Sequence, residues 1–466
     1  MKADFRYLFS PSSVAVVGAT EDQGKLGFHV MKSLLSGGFS GRVIPVNPAR
    51  QSVLGLKAYP SLKEVPGMVD LVVLVVPASK VLEQVGICAN RGVRGIVLIT
   101  AGFKEIDDPW GAQLEKQVGE AAKGASIPII GPNTFGLVSL HEGLNASFTP
   151  EFSRVKPGGI ALISQSGGMS HLLAFLALRY GARFSKVVGL GNRCNVDFQD
   201  LLEYLIMDPL TRCVALYIEG LERARELSQE AQRLKGQKPL VAYKCGRSEL
   251  GNKASRSHTG SLAGSYDIYR GAFRQSGILW VESSESLLDA ARVLEVCPPV
   301  KGNRVAILSG QAGPAMAALD VCLSNGLEVR PFDNQTMQKI ERLLPPLALR
   351  VNPVDMGPAW YDKEAIREIV KAIMESQAVD AILLLIMFAS ANRGAVAGLR
   401  DLLMEFGQKK PVISCIAAPP NIWDEQVQEL EEQKALVNYP TPERAATALA
   451  NLWRWSKMIK NTGSES

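Results

Sequence analysis

The chain has 466 residues, 47% of them hydrophobic and 21% charged, with a formal net charge of +5. This composition is that of a globular protein, and the length predicts two to four domains. The net charge is small and the sequence has no cluster of Lys and Arg interleaved with aromatic residues, which argues against a nucleic-acid partner.

The cysteines and the apolar segments indicate the compartment. Seven scattered cysteines without a C-x-x-C motif predict reduced thiols. The N-terminal residues lack the apolar core of a signal peptide. The longest apolar stretch, residues 381–391, is about half the length of a membrane span. We therefore expect a soluble, cytoplasmic protein with no membrane partner.

Short apolar runs alternate with segments of helical length from one end of the chain to the other. The predicted strands form three sets: 13–17, 43–46, 71–76, 95–100 and 127–130; 160–164, 187–190, 214–218, 240–244 and 278–281; 305–309, 381–387, 412–416 and 436–439. Continuous apolar strands that alternate with helices predict parallel sheets with helices on both faces. The predicted fold class is therefore α/β, with three doubly wound parallel-sheet domains.

The predicted domains cover residues 1–126, 127–298 and 302–458, followed by a frayed tail at 459–466. The second boundary rests on the linker sequence Pro298-Pro299-Val300-Lys301-Gly302. In doubly wound sheets, ligands bind beyond the carboxyl ends of the strands. The turn after each apolar run is therefore where functional residues are expected.

The first predicted strand runs into a glycine-rich turn, residues 18–27, in which Lys25 adds a positive charge. Glycines let the backbone approach a diphosphate, and the following helix offers free N–H groups. The Walker A spacing fails, because five residues separate the first two glycines and Leu26 follows the lysine. The second strand ends in Asn47-Pro48 rather than in the acidic residue that holds the NAD ribose. The turn predicts a phosphate-bearing ligand other than NAD, although its glycines would equally suit a tight βα turn.

His258 differs in its setting from the other three histidines. Small and hydroxylic residues surround it in the segment 254–264, ASRSHTGSLAG, which favours an accessible ring. His29 and His171 fall on predicted helices and His141 lies near a loop, so structural roles are expected for them. From the local sequence alone, His258 could equally be a loop histidine without a function.

Two turns of the second domain predict a phosphate site near such a histidine. Ser164-Gln165-Ser166-Gly167-Gly168 follows a strand and opens a helix whose N-terminal amides attract anions. Gly189, Gly191 and Asn192 precede the helix around residues 197–207, which would offer a second helix N-terminus. Glu219 ends another strand, where a carboxylate accepts a histidine N–H and fixes the tautomer of the ring.

The segment around Ser166 has a second interpretation. It resembles the nucleophile elbow of serine hydrolases without its first glycine, and Asp197 or Asp200 would be the acidic partner. A serine hydrolase is the least favoured of the alternatives.

Motifs along nearly the whole chain point to one family. They are VAVVGAT with GKLG, VIPVNP, VVLVVPAS, ITAGFKE, GPNTFG, SRSHTGSLAGS with AFRQSGI, and in the third domain SGQAGP, NPVD and YPTPER. Together they resemble the NDP-forming acyl-CoA ligases, the superfamily of succinyl-CoA synthetase α and the ADP-forming acetate–CoA ligases. The family's Gly-Gly-Pro is Ala312-Gly313-Pro314 here. The resemblance implies a Rossmann-like CoA-binding domain followed by two flavodoxin-like domains.

The resemblance also implies site residues. CoA would lie on Gly18, Ala19, Thr20, Lys25, Asn47, Pro48, Pro77, Thr100, Ala101, Gly102 and Asn133. His258 would carry a transient phosphate and Glu219 would orient it. The phosphate would be held by Ser164, Gln165, Ser166, Gly167, Gly168, Gly189, Gly191 and Asn192. No metal is expected on this chain.

The expected reaction interconverts acyl-CoA, phosphate and ADP with a carboxylic acid, CoA and ATP, through an acyl phosphate and phospho-His258. The sequence has no Walker A motif and no room for a nucleotide module, so we expect an α subunit. Its ATP-grasp β partner would bind ADP or ATP with Mg²⁺, in an α₂β₂ assembly by family resemblance. The alternative is a non-catalytic CoA-binding regulatory module, against which the set His258, Glu219 and Ser166 argues.

Overall fold

The computed structural model describes residues 4–248, 250, 266–346, 348–407 and 409–460. The chain divides into two compact units, Met1–Leu288 and Asp289–Ser466. The first unit contains a five-stranded and a seven-stranded sheet with a small two-stranded hairpin, and the second contains a six-stranded sheet.

The five-stranded sheet of the first unit has the order β2-β1-β5-β6-β7 and all its pairings are parallel. Its strands are β1 (Ser13–Val17), β2 (Arg42–Val46), β5 (Leu71–Leu74), β6 (Gly95–Leu98) and β7 (Ile129–Ile130), and β3 (Ser52–Val53) and β4 (Leu56–Lys57) form the hairpin. Its helices are α1 (Arg6–Phe9), α2 (Leu26–Ser36), α3 (Ala78–Asn90) and α4 (Pro109–Gly124). β1, β5 and β6 are buried along their whole length, as expected of strands covered on both faces.

The seven-stranded sheet of the first unit has the order β14-β13-β12-β10-β11-β8-β9. Its strands are β8 (Gly136–Ser139), β9 (Leu144–Ser147), β10 (Pro157–Ser164), β11 (Phe184–Gly189), β12 (Cys213–Ile218), β13 (Leu240–Lys244) and β14 (Ile278–Trp280). Its helices are α5 (Gly167–Tyr180), α6 (Phe198–Met207), α7 (Ala224–Arg233) and α8 (Tyr266–Ser276). β10 to β14 pair in parallel, whereas β8 and β9 join the edge in antiparallel orientation.

The sheet of the second unit has the order β16-β17-β15-β18-β19-β20. Its strands are β15 (Val305–Ser309), β16 (Leu349–Arg350), β17 (Val354–Asp355), β18 (Ala381–Met387), β19 (Val412–Ala417) and β20 (Val437–Asn438). The helices are α9 (Ser284–Val296), in which the division between the units falls, α10 (Ala312–Ser324), α11 (Asn334–Glu341), α12 (Lys363–Glu375), α13 (Ala395–Phe406), α14 (Asp424–Glu432) and α15 (Pro442–Lys460). All its pairings are parallel except β16 with β17.

The predicted α/β class with three helix-covered sheets is confirmed, with antiparallel additions that the sequence did not indicate. β7 completes the first sheet, which therefore extends past residue 126. The domain limits themselves remain a prediction. Within the described part of the chain, no helix combines the length and apolarity needed to cross a membrane.

Candidate functional site

The turns predicted to bind CoA lie at one edge of the first sheet. The register pairs Val17 with Val46 and Val17 with Leu74, and Leu74 with Leu98, so the carboxyl ends of β1, β2, β5 and β6 meet there. The turns are also bonded to each other. Asn47 Nδ2 donates to Ala19 O at 2.7 Å, and Thr100 Oγ1 donates to Val76 O at 2.7 Å.

Two glycines of the first turn have a packing role. Gly18 has a φ of +98°, and a Cβ there would lie 2.3 Å from Val75 O. A Cβ on Gly27 would lie 2.1 Å from Gly18 O, so α2 packs directly on the turn. Gly24 is different, because the nearest atom to its Cβ position is Asp22 Oδ1 at 3.3 Å. Tight packing thus explains Gly18 and Gly27 but not Gly24.

A cleft of about 700 Å³ brings residues of both predicted sites together in the first unit. Its lining includes Ala101 and Asn133 from the predicted CoA set; Gln165, Ser166, Gly167, Gly168, Gly191 and Asn192 from the predicted phosphate set; and Glu219. The other predicted CoA residues do not line this cleft. Neither do Ser164 and Gly189, which lie in β10 and β11.

The turn between β10 and α5 forms the floor of the cleft. The Ser164 hydroxyl donates to Ser166 O at 2.9 Å and accepts from the Ser166 N–H at 3.1 Å, which fixes the turn. Ser166 caps α5, because its Oγ accepts from the Met169 N–H at 3.4 Å. The first N–H groups of a helix have no partner within it, so Gly167 and Gly168 present donors to an anion in the cleft.

Gln165 forms hydrogen bonds with the turn that follows β12. Its Oε1 accepts from the N–H groups of Glu219 at 2.5 Å and Gly220 at 3.1 Å, and its Nε2 donates to Gly220 O at 2.9 Å. Its own N–H donates to Tyr217 O. The side chain therefore holds the turn that carries Glu219, and in this arrangement its polar atoms are engaged within the protein.

Asn192 is likewise engaged by its neighbours. Its Nδ2 donates to Glu105 Oε2 at 2.5 Å and to Glu115 Oε2 at 2.8 Å, and its Oδ1 accepts from Asn133 Nδ2 at 3.3 Å. Lys104 Nζ lies 3.1 Å from Glu115 Oε1. We call Lys104, Glu105, Glu115 and Asn192 the carboxylate network.

The two carboxyl groups of the network differ in pKa. Burial would raise the pKa of Glu105, but hydrogen bonds from the Gly102 N–H and from Asn192 outweigh it and lower the pKa. For Glu115 burial dominates and raises the pKa, although Lys104 opposes the shift. Because Glu105 also accepts from Gly102 at 2.5 Å, the network joins the predicted CoA turn to the predicted phosphate turn.

The N-terminus of α6, which the sequence suggested as a second anion site, is capped by acidic side chains. Asp197 Oδ1 accepts from the Phe198 N–H at 2.8 Å, and Asp200 Oδ2 accepts from the Asp197 N–H at 2.9 Å. Arg193 also bonds Asp197, at 3.1 Å. Carboxylates already cap this helix, and their negative charge disfavours a phosphate at its N-terminus.

Sequence reasoning missed the aromatic side of the cleft, formed by Phe135, Phe148 and His171. Phe135 lies inside the GPNTFG motif, so the sequence did draw attention to this position. Phe148 follows β9, a strand that was not predicted. His171 was expected to be structural, and both its ring nitrogens are indeed hydrogen-bonded within the chain.

The other histidines that the structure describes, His29 and His141, are each hydrogen-bonded to a backbone carbonyl. His29 Nε2 bonds Gln23 O and His141 Nε2 bonds Gly158 O. His258 lies outside the described residues. Among the residues that are described, no group of three or more His, Cys, Asp or Glu side chains is arranged to hold a metal ion.

Comparison with known proteins matches two parts of the chain to two family models. Residues 12–139 match a CoA binding domain, and residues 157–294 match a succinyl-CoA-ligase-like flavodoxin domain. The chain is 37% identical over 457 residues to subunit alpha of the ADP-forming acetate–CoA ligase II of Pyrococcus furiosus, over 97% of this chain and 98% of that subunit. The chain belongs to the ADP-forming acetate–CoA ligase family. The predicted family is thereby confirmed.

Other members of the family are longer or share the whole fold. The ADP-forming acetate–CoA ligase of Methanocaldococcus jannaschii is 39% identical over 356 residues, which are 76% of this chain and 49% of that protein. This chain thus spans about half the length of that relative. The acetyl-coenzyme A synthetase 1 of Ca. Korarchaeum cryptofilum, solved with phosphate and ADP, superposes with a TM-score of 0.91 at 34% identity, over 99% of both chains.

Proposed function

We propose that the chain is the α subunit of an ADP-forming acyl-CoA ligase that catalyses acyl transfer and carries the phosphoryl group on His258. The observation that carries the proposal is the cleft. It joins Ala101 and Asn133 of the CoA edge, the N-terminus of α5 and the Glu219 carboxylate in one space.

In the first step, HPO₄²⁻ held at Gly167 and Gly168 attacks the thioester carbonyl. A C–O bond forms, the C–S bond breaks, and the phosphate proton passes to the departing CoA thiolate. The helix N–H groups stabilise the phosphate without added side-chain charge, which suits a group that must leave again.

In the second step, a ring nitrogen of His258 attacks phosphorus with its lone pair and the carboxylate leaves. The other ring nitrogen keeps its proton, and Glu219 accepts that N–H and stabilises the cation on the phosphorylated ring. In the third step the phosphoryl group passes to ADP and the histidine returns to its neutral form.

We place the nucleotide and its Mg²⁺ on a separate ATP-grasp subunit, with α₂β₂ as the expected assembly. The lengths of two relatives support this placement. The Pyrococcus furiosus relative that matches end to end is named a subunit alpha, whereas the Methanocaldococcus jannaschii relative is about twice as long. A serine hydrolase is disfavoured, because Asp197 and Asp200 cap α6 and pair with Arg193 and Arg223.

The test is labelling of the full chain with ³²P-acetyl phosphate. We expect acid-labile, base-stable label on His258, its loss in His258→Asn, and reduced labelling in Ser166→Ala, which removes the cap of α5. Label that survives in His258→Asn, or labelling of Ser166 by a fluorophosphonate, would contradict the proposal.

The subunit assignment has its own test. Purified chain should form labelled phosphohistidine yet fail to phosphorylate ADP until an ATP-grasp subunit is added. ADP phosphorylation by the chain alone would show that the nucleotide site was misplaced.

A further inference from the structure

Lys244 is the last residue of β13, and its side chain is buried inside the first unit, at 2% exposure. A lysine is rarely buried to this extent unless it is paired, and taking a cation out of water costs free energy. The other residues of β13, LVAY, are apolar or aromatic, so the strand needs no charge for its own packing. Lys244 is therefore a candidate for a function beyond the packing of the sheet.

Two other lysines of the same sheet show what a structural role looks like. Lys238 Nζ donates to Leu205 O at 3.3 Å and to Asp208 O at 2.5 Å, and so satisfies carbonyl groups at the C-terminal end of α6. Lys186 Nζ pairs with the Asp208 carboxylate at 2.5 Å. Lys244 lies at the end of a strand instead, on the side of the sheet where the turn after β12 is found.

The ammonium group of Lys244 lies close to the turn that carries Glu219. Its Nζ donates to the Cys245 carbonyl and lies 5.3 Å from the centre of the Tyr269 ring, as in a cation–π contact. The Tyr269 hydroxyl accepts the Leu221 N–H at 3.4 Å. The tyrosine therefore links the cation to the backbone of the turn.

The strand register explains why Lys244 and Glu219 are neighbours. Lys244 pairs in parallel with Ile218, the residue before Glu219, and the Cys245 N–H donates to Ile218 O at 3.0 Å. Adjacent strands lie about 4.8 Å apart. Burial lowers the pKa of Lys244, and among the described residues Cys245 and Glu219 are the groups that oppose this shift. Of these two, Glu219 is the carboxylate.

Glu219 has the complementary requirement. It is 9% exposed, so water solvates its carboxylate poorly, and a nearby positive charge favours the ionised form that accepts a histidine N–H. Arg193 also lines the cleft, but its guanidinium lies 3.1 Å from Asp197. Tyr217, two positions earlier in β12, stays neutral because burial raises its pKa. The buried cation at Lys244 therefore meets the requirement best.

We propose that Lys244 is a positioning residue of the phosphohistidine step, whose buried positive charge keeps the Glu219 carboxylate ionised and ready to accept the His258 N–H. This inference rests on the proposed function. Lys244 does not line the cleft, so its effect belongs in the pH dependence of phosphorylation and not in CoA affinity. Because an opposite charge favours the ionised carboxylate, removing the cation moves the protonation of Glu219 to higher pH.

The experiment labels the full chain with ³²P-acetyl phosphate between pH 5 and pH 9 and measures the initial rate of His258 phosphorylation. Lys244→Gln removes the charge and keeps a donor for the Cys245 carbonyl. The midpoint of the acidic limb should rise by about one pH unit, so the rate on that limb falls about tenfold while the rate at high pH changes little. Lys244→Met should give the same shift, and Lys244→Arg, which keeps the charge, should keep the wild-type midpoint.

The matched control is Lys238→Gln, which removes a partly buried lysine that bonds backbone carbonyls away from the cleft. It should lower Tm and leave the midpoint unchanged. Calorimetry should give the wild-type Kd for CoA in every variant.

An unchanged midpoint in both neutral variants of Lys244, a shift in Lys244→Arg, or an equal shift in Lys238→Gln would overturn the proposal. So would a shift that persists when Glu219→Gln is also present, because Lys244 would then act on another group. Absence of the His258 label in the wild type would instead overturn the proposed function, so the two failures are distinguishable.

Discussion

The Gln165 carboxamide holds the backbone of Glu219 by accepting its N–H at 2.5 Å, across 54 positions of sequence. Both residues follow adjacent parallel strands, β10 and β12, so the sheet places the amide beside the turn. The position of the proposed histidine-orienting carboxylate therefore depends on the side chain of Gln165.

Replacing Gln165 by Ala should therefore impair phosphoryl transfer more than CoA binding. The change removes the hydrogen bonds that Gln165 makes with the Glu219 and Gly220 N–H groups and with the Gly220 carbonyl, at a cost of about 1–3 kcal/mol for a buried polar group. We expect the rate of His258 phosphorylation to fall about tenfold to a hundredfold, while calorimetry gives an unchanged Kd for CoA.

Gln199→Ala is the matched control for Gln165→Ala. Gln199 is equally buried, at 7% exposure, and does not line the cleft. Gln165→Glu keeps an acceptor for the two N–H groups but loses the donor to Gly220, so it should recover only part of the rate. Equal rates in both alanine variants would show that Gln165 acts through stability alone.

The glycines of the first turn give a second prediction. Gly18→Ala and Gly27→Ala place a Cβ within about 2.3 Å of backbone oxygens, so both should lower thermal stability and abolish CoA binding together. Gly24→Ala meets only an Asp22 side-chain oxygen at 3.3 Å. If the missing side chain of Gly24 lets CoA approach the backbone, this variant should weaken CoA binding without changing Tm.

Gly86→Ala serves as the reference for the three glycine variants. Gly86 lies in α3 with no atom within 4 Å of its Cβ position, so alanine there should stabilise the chain by about 0.5–1 kcal/mol. CoA affinity should not change. Unchanged CoA binding in Gly24→Ala would show that the ligand does not need a glycine at this position.

Lys25 tests the ligand class directly. Its side chain is 69% exposed, so a phosphate can reach its ammonium group, which also lies 3.6 Å from Asp22. Lys25→Ala should weaken CoA binding about fivefold at low salt, as for a surface ion pair, and less at high salt. Lys32→Ala, on an exposed position of α2, should have no effect. NAD binding tighter than CoA binding would contradict the assignment of the first domain.

Much of the fold was predictable because its strands are continuous apolar runs. β1, β13, β15 and β18 have the predicted limits. β8 and β9 were missed because they are four-residue antiparallel strands at one end of the sheet, GLVS and LNAS, which lack a distinctive apolar run.

The site was predictable where a motif sits at a strand end and not where partners are distant in sequence. The α5 turn follows from Ser-x-Ser-Gly-Gly after a strand. The bond from Asn192 to Glu105 spans 87 positions, and that from Asn192 to Glu115 spans 77. Nothing local to Asn192 distinguishes a side chain that binds a phosphate from one that bridges two carboxylates.

We expect Lys104 to control how the stability of the first unit depends on pH, through its ion pair with Glu115. Removing this cation in Lys104→Met leaves Glu115, whose side chain is 7% exposed, without its charge partner. Because burial already raises the pKa of Glu115, the loss of Lys104 should raise it further. Between the unfolded and the folded pKa, the folded state holds more protons than the unfolded state. The unfolding free energy must then fall as pH rises through that window.

We therefore expect Lys104→Met to be near wild type in stability at pH 5 and less stable by about 3 kcal/mol at pH 8, the cost of breaking a buried ion pair. The double variant Lys104→Met/Glu115→Gln removes both charges and should recover most of the stability lost at pH 8. Its difference from wild type in unfolding free energy should be almost the same at pH 5 and pH 8. Urea unfolding at both pH values measures this. A deficit of equal size at pH 5 and pH 8, or a double variant no better than Lys104→Met, would show that Lys104 acts through its packing or through Glu222, which its ammonium group contacts at 3.3 Å.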